Sequence, residues 1–207
     1  NSYDDAAITQ FLKDNYFDTR GNIVAFSSSI TTDDNEKPLA DYSHTTLPSG
    51  VVYISRYVPA NGKTIASNDV LRIMQKSNTY VAVKATDGTI KFDSQYSFRN
   101  TIDASGSPEV DPAYFYVKNS ILTNDTYKDK TRSYFEIEGL QEGLKYFKST
   151  EVSDDANYNM QGVIIVPSRA AFARDDHFAY SSYTFKDRCF VFSFQIYKTS
   201  TRTSAQD

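Results

Sequence analysis

Apolar positions in this chain fall into short runs separated by turn residues, and the spacing inside each run predicts its element. Near the N-terminus Ile8, Phe11 and Leu12 recur at i, i+3 and i+4, ahead of Tyr16 and Gly21. That spacing predicts a short amphipathic helix whose single apolar stripe is a docking face. Ser2 and Asp5 stand at capping-box spacing at its start, with Asp in place of the usual Glu or Gln. Residues 27–48 are rich in Ser, Thr, Asp and Asn, carry Pro38 and Pro48, and predict a linker or exposed loop. From Ser49 the texture changes. Residues 51–58 read as a strand followed by an Asn61-Gly62 turn, 70–74 as a short apolar strand, and 79–86 as an alternating one. Asp87-Gly88 predicts a tight hairpin leading into a strand at 90–92.

Residues 95–133 break this rhythm. They hold Gly106, Pro108 and Pro112, then Tyr114-Phe115-Tyr116, then a polar run from 123 to 132. A connection of that length predicts a functional or mobile insertion. Its aromatic trio reads either as an interaction surface or as a cover for the sheet's own edge. After it, Leu140, Leu144 and Phe147 recur at helical spacing over 139–147, and 162–166 is a short apolar strand. Residues 189–197 alternate, with Phe190, Phe192, Phe194 and Ile196 on one face and Val191, Ser193 and Gln195 on the other. They predict a half-buried antiparallel strand closing a sheet. Strands, one short helix, then more strands give an α+β class: an antiparallel sheet wrapped round a helix.

Composition narrows the function classes. The 207 residues are 40% hydrophobic and 14% aromatic, enough to bury a real core, and the weight falls on 16 Tyr and 14 Phe with no Trp. Such enrichment favours strands. The net charge is −4 and no Lys/Arg cluster stands out, so nucleic acid is excluded as an expected partner. No apolar run is long enough to span a bilayer, and no Gly-rich phosphate-binding fingerprint is present. Cys189 has no partner for a disulfide and reads as a buried inert thiol. The same count excludes a Cys-based metal site, so no metal or other cofactor is expected. The chain begins at Asn1 with polar residues, which suggests a mature product whose signal segment has been removed, with a lipid-anchored Cys upstream as one form of it.

Several segments, in order, resemble the FKBP-type peptidyl-prolyl isomerases. Ser49-Gly50-Val51-Val52-Tyr53-Ile54 is like the Gly-aromatic strand that opens many bacterial members. Asp87-Gly88 followed by Phe92-Asp93-Ser94 resembles the family's "DG…FDS" segment. Gly139-Leu140-Gln141-Glu142-Gly143-Leu144 is similar to its "GWxEGL" helix. Val166-Pro167-Ser168-Arg169-Ala170-Ala171-Phe172 is similar to "IPSxLAYG", and Phe190-Val191-Phe192-Ser193-Phe194 to the closing "LvFdVeL" strand. The resemblance covers about residues 49–197. It implies a helix and linker at 1–48, an FKBP-like domain at 49–199 interrupted by the insertion, and a polar tail at 200–207. Segments like Asp5-Ala6-Ala7-Ile8-Thr9-Gln10-Phe11-Leu12 precede this domain in related bacterial envelope lipoproteins. By that analogy the chain is expected to be periplasmic or outer-membrane-associated.

The resemblance also implies a site. Turning an Xaa–Pro bond faces a barrier of about 18–20 kcal/mol set by amide resonance, and an enzyme need only bind the twisted amide better than the planar one. No nucleophile, metal or cofactor is needed. By likeness, a dry aromatic bowl would hold the proline ring. Phe92 and Asp93 would come from the "FDS" segment, Ile137 and Leu140 form the floor, Phe172 the rim, and Phe192 would come from the last strand. The family's strand Tyr before the hairpin is matched by Tyr80 or by Gln75. Asp93 would lie against the substrate amide; as a residue after a strand it equally reads as a turn former. Where the family has a floor Trp this chain has Leu140, and its rim Tyr is Phe172, without the hydroxyl. Those changes predict weak proline binding, with catalysis reduced or absent. His177, in the loop after Phe172, reads as solvated. Two functions follow: an isomerase or folding factor acting on proline-containing envelope polypeptides, or an inactive FKBP-like module docking a partner in outer-membrane biogenesis or secretion. A carbohydrate-binding or adhesin-like β domain would suit the Tyr-rich composition but leaves the helix at 139–147 unexplained.

Overall fold

A computed structural model describes residues 1–207. The chain runs α1 (Asp4–Asp14), β1 (Asn15–Phe17), β2 (Ile23–Ala25), β3 (Thr45–Thr46), β4 (Val52–Ser55), β5 (Val70–Lys84), β6 (Ile90–Asn100), β7 (Glu109–Val110), α2 (Asn119–Leu122), α3 (Glu138–Leu144), β8 (Gly162–Val166) and β9 (Cys189–Ser200). Strands β3-β4-β8-β9-β5-β6 form one sheet in that order, with β7 also on β5, and every pairing is antiparallel. β1 and β2 make a separate hairpin. The architecture is α+β, a mostly antiparallel sheet with few helices. No helix is long and apolar enough to cross a membrane.

Two apolar layers cover the two faces of this sheet. On one face α3 places Leu140 and Leu144 against Ile164, Phe192 and Phe194. On the other, the stripe of α1 (Ile8, Phe11, Leu12) packs on Val52, Ile54, Val163, Ile165 and Val191. The docking face of the first helix is therefore the underside of the sheet. Its start differs from the expected capping box: the N-cap is Tyr3 and no side chain caps it. Asp4 points inward instead, fully buried, and accepts hydrogen bonds from the Ser168 backbone N–H at 2.9 Å and the Ser168 hydroxyl at 2.5 Å. A buried carboxylate must be hydrogen-bonded, and this one ties α1 to the turn after β8. The segment at 27–48 is not simply exposed: Leu39 and Asp33 are buried, and Asp33 accepts the Ser27 N–H.

Three strands depart from their sequence pattern. The runs expected at 70–74 and 79–86 are one 15-residue strand, β5. The polar residues between them stay in the ladder because their side chains are satisfied within the sheet. Ser77 donates to Gln75 Oε1, and Thr79 donates to the Tyr96 carbonyl. β6 does not stop at 92 but continues to Asn100, so the insertion begins near 101. β9 does not close the sheet. It lies between β8 and β5 and is buried on both faces through Tyr197. Gln195 tolerates this by donating to Thr150 and accepting from the Asn159 N–H.

Candidate functional site

The structure separates the seven residues named from sequence. Ile137, Leu140, Phe172 and Phe192 lie together in the layer on the α3 face, all nearly fully buried. Tyr80 and Phe92 lie on the opposite face beneath α1, stacked on each other at 5.0 Å, with Phe11 at 5.7 and 5.6 Å from their rings. Asp93 is exposed, and its Oδ1 accepts the Ser94 N–H at 2.8 Å. Gln75, the alternative to Tyr80, is buried and bonded to Ser77. A bowl using Phe92 and Tyr80 together with Leu140 is therefore not assembled.

Register explains the split. Phe92 faces Ala82 across the ladder, which puts it on the side of Tyr80. Between Asp93 and Tyr96 β6 holds one more residue than β5, a bulge with Ser94 at φ +53°. The bulge re-aims Tyr96 and Phe98 onto the α3 face. Phe98, not Phe92, is the ring that β6 supplies to the aromatic cluster.

That cluster is closed. Phe98 meets Phe190 edge-on at 5.5 Å and Phe185 at 5.7 Å, and Phe172 stacks on the His177 ring at 4.0 Å. Tyr114 fills the centre. It stacks on Phe98 at 5.4 Å and meets Phe172 edge-on at 4.8 Å; its hydroxyl donates to the Phe178 carbonyl at 2.7 Å. Only 1% of Tyr114 is exposed. The aromatic trio of the insertion is thus neither a free surface nor an edge cover: Tyr114 and Phe115 are core residues. The strap carrying them is fixed by β7 on β5, by Ile137 N–H donating to the Tyr114 carbonyl, and by Gln141 donating to the Phe115 carbonyl. Tyr114 sits at φ +65°, a left-handed conformation that costs a bulky residue about 1–2 kcal/mol. Burial of its ring offsets that cost.

The second cover is the loop 173–187. Its ends are joined by Asp187 N–H donating to the Ala173 carbonyl, both residues at positive φ. Inside it His177 is buried, not solvated. Nδ1 lies 2.9 Å from the Phe178 carbonyl, and Nε2 accepts the Phe185 N–H at 2.9 Å. This arrangement requires the neutral ring with its proton on Nδ1, and burial pushes the His177 pKa below its ordinary value of 6.5. The unfolded chain therefore binds more protons here than the folded one. His177 contributes stability that is fully present above about pH 6.5 and is lost as the pH falls through its lowered folded value. Urea midpoints measured at intervals from pH 7.5 to 5 should fall for the wild type and run flatter for His177→Gln. Parallel curves for the two proteins would contradict this assignment.

Beside the cluster lies an apolar groove of about 360 Å³ lined by Tyr116, Val117, Ile121, Tyr127, Phe135 and Tyr180, among others. No three His, Cys, Asp or Glu side chains are gathered as metal ligands. Cys189 is fully buried, and burial raises its thiol pKa, so it is a packing residue.

With this geometry in place, comparison with known proteins adds little. No protein-family description matches the chain. No curated protein matches it in sequence. Among solved structures, FkpA from Escherichia coli aligns over 75% of this chain at 16% identity and a TM-score of 0.42. A peptidyl-prolyl cis-trans isomerase from Pseudomonas syringae pv. tomato aligns over 76% at 13% identity and a TM-score of 0.34, covering 81% of that protein. The alignment takes in 51% of FkpA, so the chain spans about half of that protein's length. Those values are too low for either neighbour to be evidence of activity.

Sequence reasoning missed Tyr114, Phe98, Phe185 and the burial of His177. The available signal was the run Tyr114-Phe115-Tyr116 itself. Three adjacent aromatics in a loop are costly to leave in water, since each ring buries 150–250 Å² when it finds a core.

Proposed function

We propose that this chain is an FKBP-like binding module whose proline bowl is filled by its own insertion, and that it does not catalyse prolyl isomerisation. The FKBP-like reading is supported by the motifs quoted above and by α3 lying on β8 through Gly139 and Gly143. The observation that carries the inactive reading is Tyr114. Its ring occupies the space among Phe98, Phe172 and Phe185, in the same layer as the nearly fully buried Leu140, Ile137 and Phe192. An isomerase acts by binding the twisted amide in such a bowl, and a proline cannot reach a filled one. Asp93, which would lie against that amide, is exposed to solvent with its Oδ1 held by the Ser94 N–H.

Within this reading the partner is a cell-envelope protein, in outer-membrane biogenesis or secretion, and the module is periplasmic or outer-membrane-associated. Both rest on the likeness of the first helix to the segments that precede the domain in envelope lipoproteins. The alternative, a weak isomerase or folding factor for envelope proteins, uses the same scaffold and makes the opposite prediction. In a protease-coupled assay on a short Xaa–Pro peptide, the wild type should run at the uncatalysed rate and Asp93→Ala should be indistinguishable from it. Acceleration by the wild type that Asp93→Ala abolishes would restore the isomerase.

A further inference from the structure

On the sheet face opposite the aromatic cluster, α1 and the β1–β2 hairpin do not cover the sheet completely. They leave a cavity of about 260 Å³ lined by Phe11, Asn15, Ile23, Ala25, Lys76, Asn78, Tyr80, Gln95, Val191 and Ser193. Its floor follows from strand alternation: Lys76, Asn78 and Tyr80 on β5 and Val191 and Ser193 on β9 share one face, at i, i+2 spacing. Three of these five positions are polar, whereas the floor under the middle of α1 is apolar.

Of the polar side chains around this cavity, Asn15 donates to the Phe11 carbonyl at 2.8 Å. The Ser193 hydroxyl is buried, 2% of the residue being exposed, and has no hydrogen-bond partner. Buried side-chain atoms without a partner are confined to Ser193, Asp4 and Asn22 in the whole chain, and Ser193 alone of these lines the cavity. Native proteins rarely leave such an atom unmatched without a reason such as a bound water, ion or ligand. Lys76 has one ion pair, a loose 3.8 Å contact with exposed Asp103. No acidic residue lines the cavity. Its apolar side runs from Tyr80 and Val191 on the floor to Phe11 and Ile23 above them.

We propose that this cavity binds a small carboxylate carrying an apolar ring or chain. An ammonium group without an acid inside the cavity, beside amide and hydroxyl donors, matches a carboxylate. The aromatic wall takes the apolar body. The volume sets the size of the enclosed part, since drug-sized ligands need about 300–1,000 Å³: the cavity takes one ring or short chain with its carboxylate, and anything beyond that lies outside it. This site is independent of the FKBP-like reading and lies on the other side of the sheet from the filled bowl.

Thermal shift and isothermal titration with phenylacetate, and with its neutral counterpart phenylacetamide, test it. Phenylacetate should raise the melting temperature saturably by mass action, and phenylacetamide should not. Lys76→Met should weaken the acid by about tenfold or more, the scale of one lost charge-assisted bond. Ser193→Ala should also weaken it while leaving the unliganded melting temperature unchanged or raised, because that change removes only an unpartnered hydroxyl. A third arm, N-acetyl-Gly-Phe with a free carboxyl end, separates two sources of the same group. Tighter binding than phenylacetate assigns the carboxylate to a polypeptide terminus, and weaker binding to a free small acid. Equal shifts from acid and amide, shifts that survive Lys76→Met, or no shift with any of the acids would each overturn the proposal.

Discussion

Replacing Tyr114 with glycine should open the aromatic cluster and destabilise the protein by about 1–4 kcal/mol. Deleting a buried aromatic ring costs about 3–5 kcal/mol in transfer and cavity terms. Part is returned, because Tyr114 is held at φ +65° and glycine adopts that conformation without the roughly 1–2 kcal/mol penalty. Tyr114→Ala keeps the backbone strain and should therefore be less stable than Tyr114→Gly, against the usual ranking of the two residues. The cavity left in Tyr114→Gly has the shape of a p-hydroxybenzyl group, with the Phe178 carbonyl at its end as acceptor. Added p-cresol should raise the urea midpoint of that variant and leave the wild type unmoved. If Tyr114→Gly matches the wild type in stability, or if p-cresol stabilises both equally, the ring is not filling the cluster. The same variant bears on function: a bowl closed only by this ring should gain affinity for Xaa–Pro peptides once the ring is gone.

Strands with uninterrupted patterns were legible in the sequence. Residues 162–166 match β8, and the helix at 139–147 is α3 with its C-terminal turn. Asp87-Gly88 does form the β5–β6 turn, with Gly88 at φ +88°. Illegible parts were those where a side chain is satisfied by something distant in the chain. Residues 75–78 look like a break in a strand because what holds them there is invisible locally: the Gln75 N–H bonds the Thr101 hydroxyl, and Ser77 bonds the Gln75 side chain within the sheet. Ser2 and Asp5 look like the residues fixing the start of the first helix, whereas Asp4 does so through Ser168, 164 positions away.

The site failed for a narrower reason. Alternation fixes which face a residue occupies only while the register is unbroken, and one extra residue flips every position beyond it. Phe92 and Phe98 are an even number apart and would share a face in a regular strand. The bulge at Ser94 sends them to opposite sides. Nothing in Phe92-Asp93-Ser94-Gln95 marks that bulge, since its left-handed residue is Ser94 rather than glycine. The resemblance to the isomerase family therefore led to Phe92 and Asp93; the register turns Phe92 away from the cluster, and Asp93 is exposed. Tyr114 occupies that cluster from an insertion for which the resemblance supplies no counterpart.

Replacing Gly139 with alanine should lower stability by about 1–3 kcal/mol, although helix propensity alone predicts a gain of about 0.8–1 kcal/mol. Gly139 lies in the first turn of α3 where the helix backbone rests on the sheet. A Cβ there would stand 2.5 Å from Val166 Cγ1, 3.0 Å from Val51 Cγ2 and 3.0 Å from the Ala170 carbonyl oxygen. The last contact is backbone and does not yield by a rotamer change, so the helix must lift. Overpacking of a filled core typically costs about 1–3 kcal/mol. Lifting also pulls on Ile137 N–H and the Gln141 side chain, which hold the strap of Tyr114 and Phe115. The tyrosine near-UV circular dichroism should therefore weaken together with the urea midpoint. Gly143→Ala is the control, because the nearest atoms its Cβ would meet all belong to the Ile164 side chain, at 2.8–3.1 Å, and a side chain can shift. A midpoint for Gly139→Ala at or above that of Gly143→Ala would mean that the close seat of α3 on β8 is not what the glycine serves.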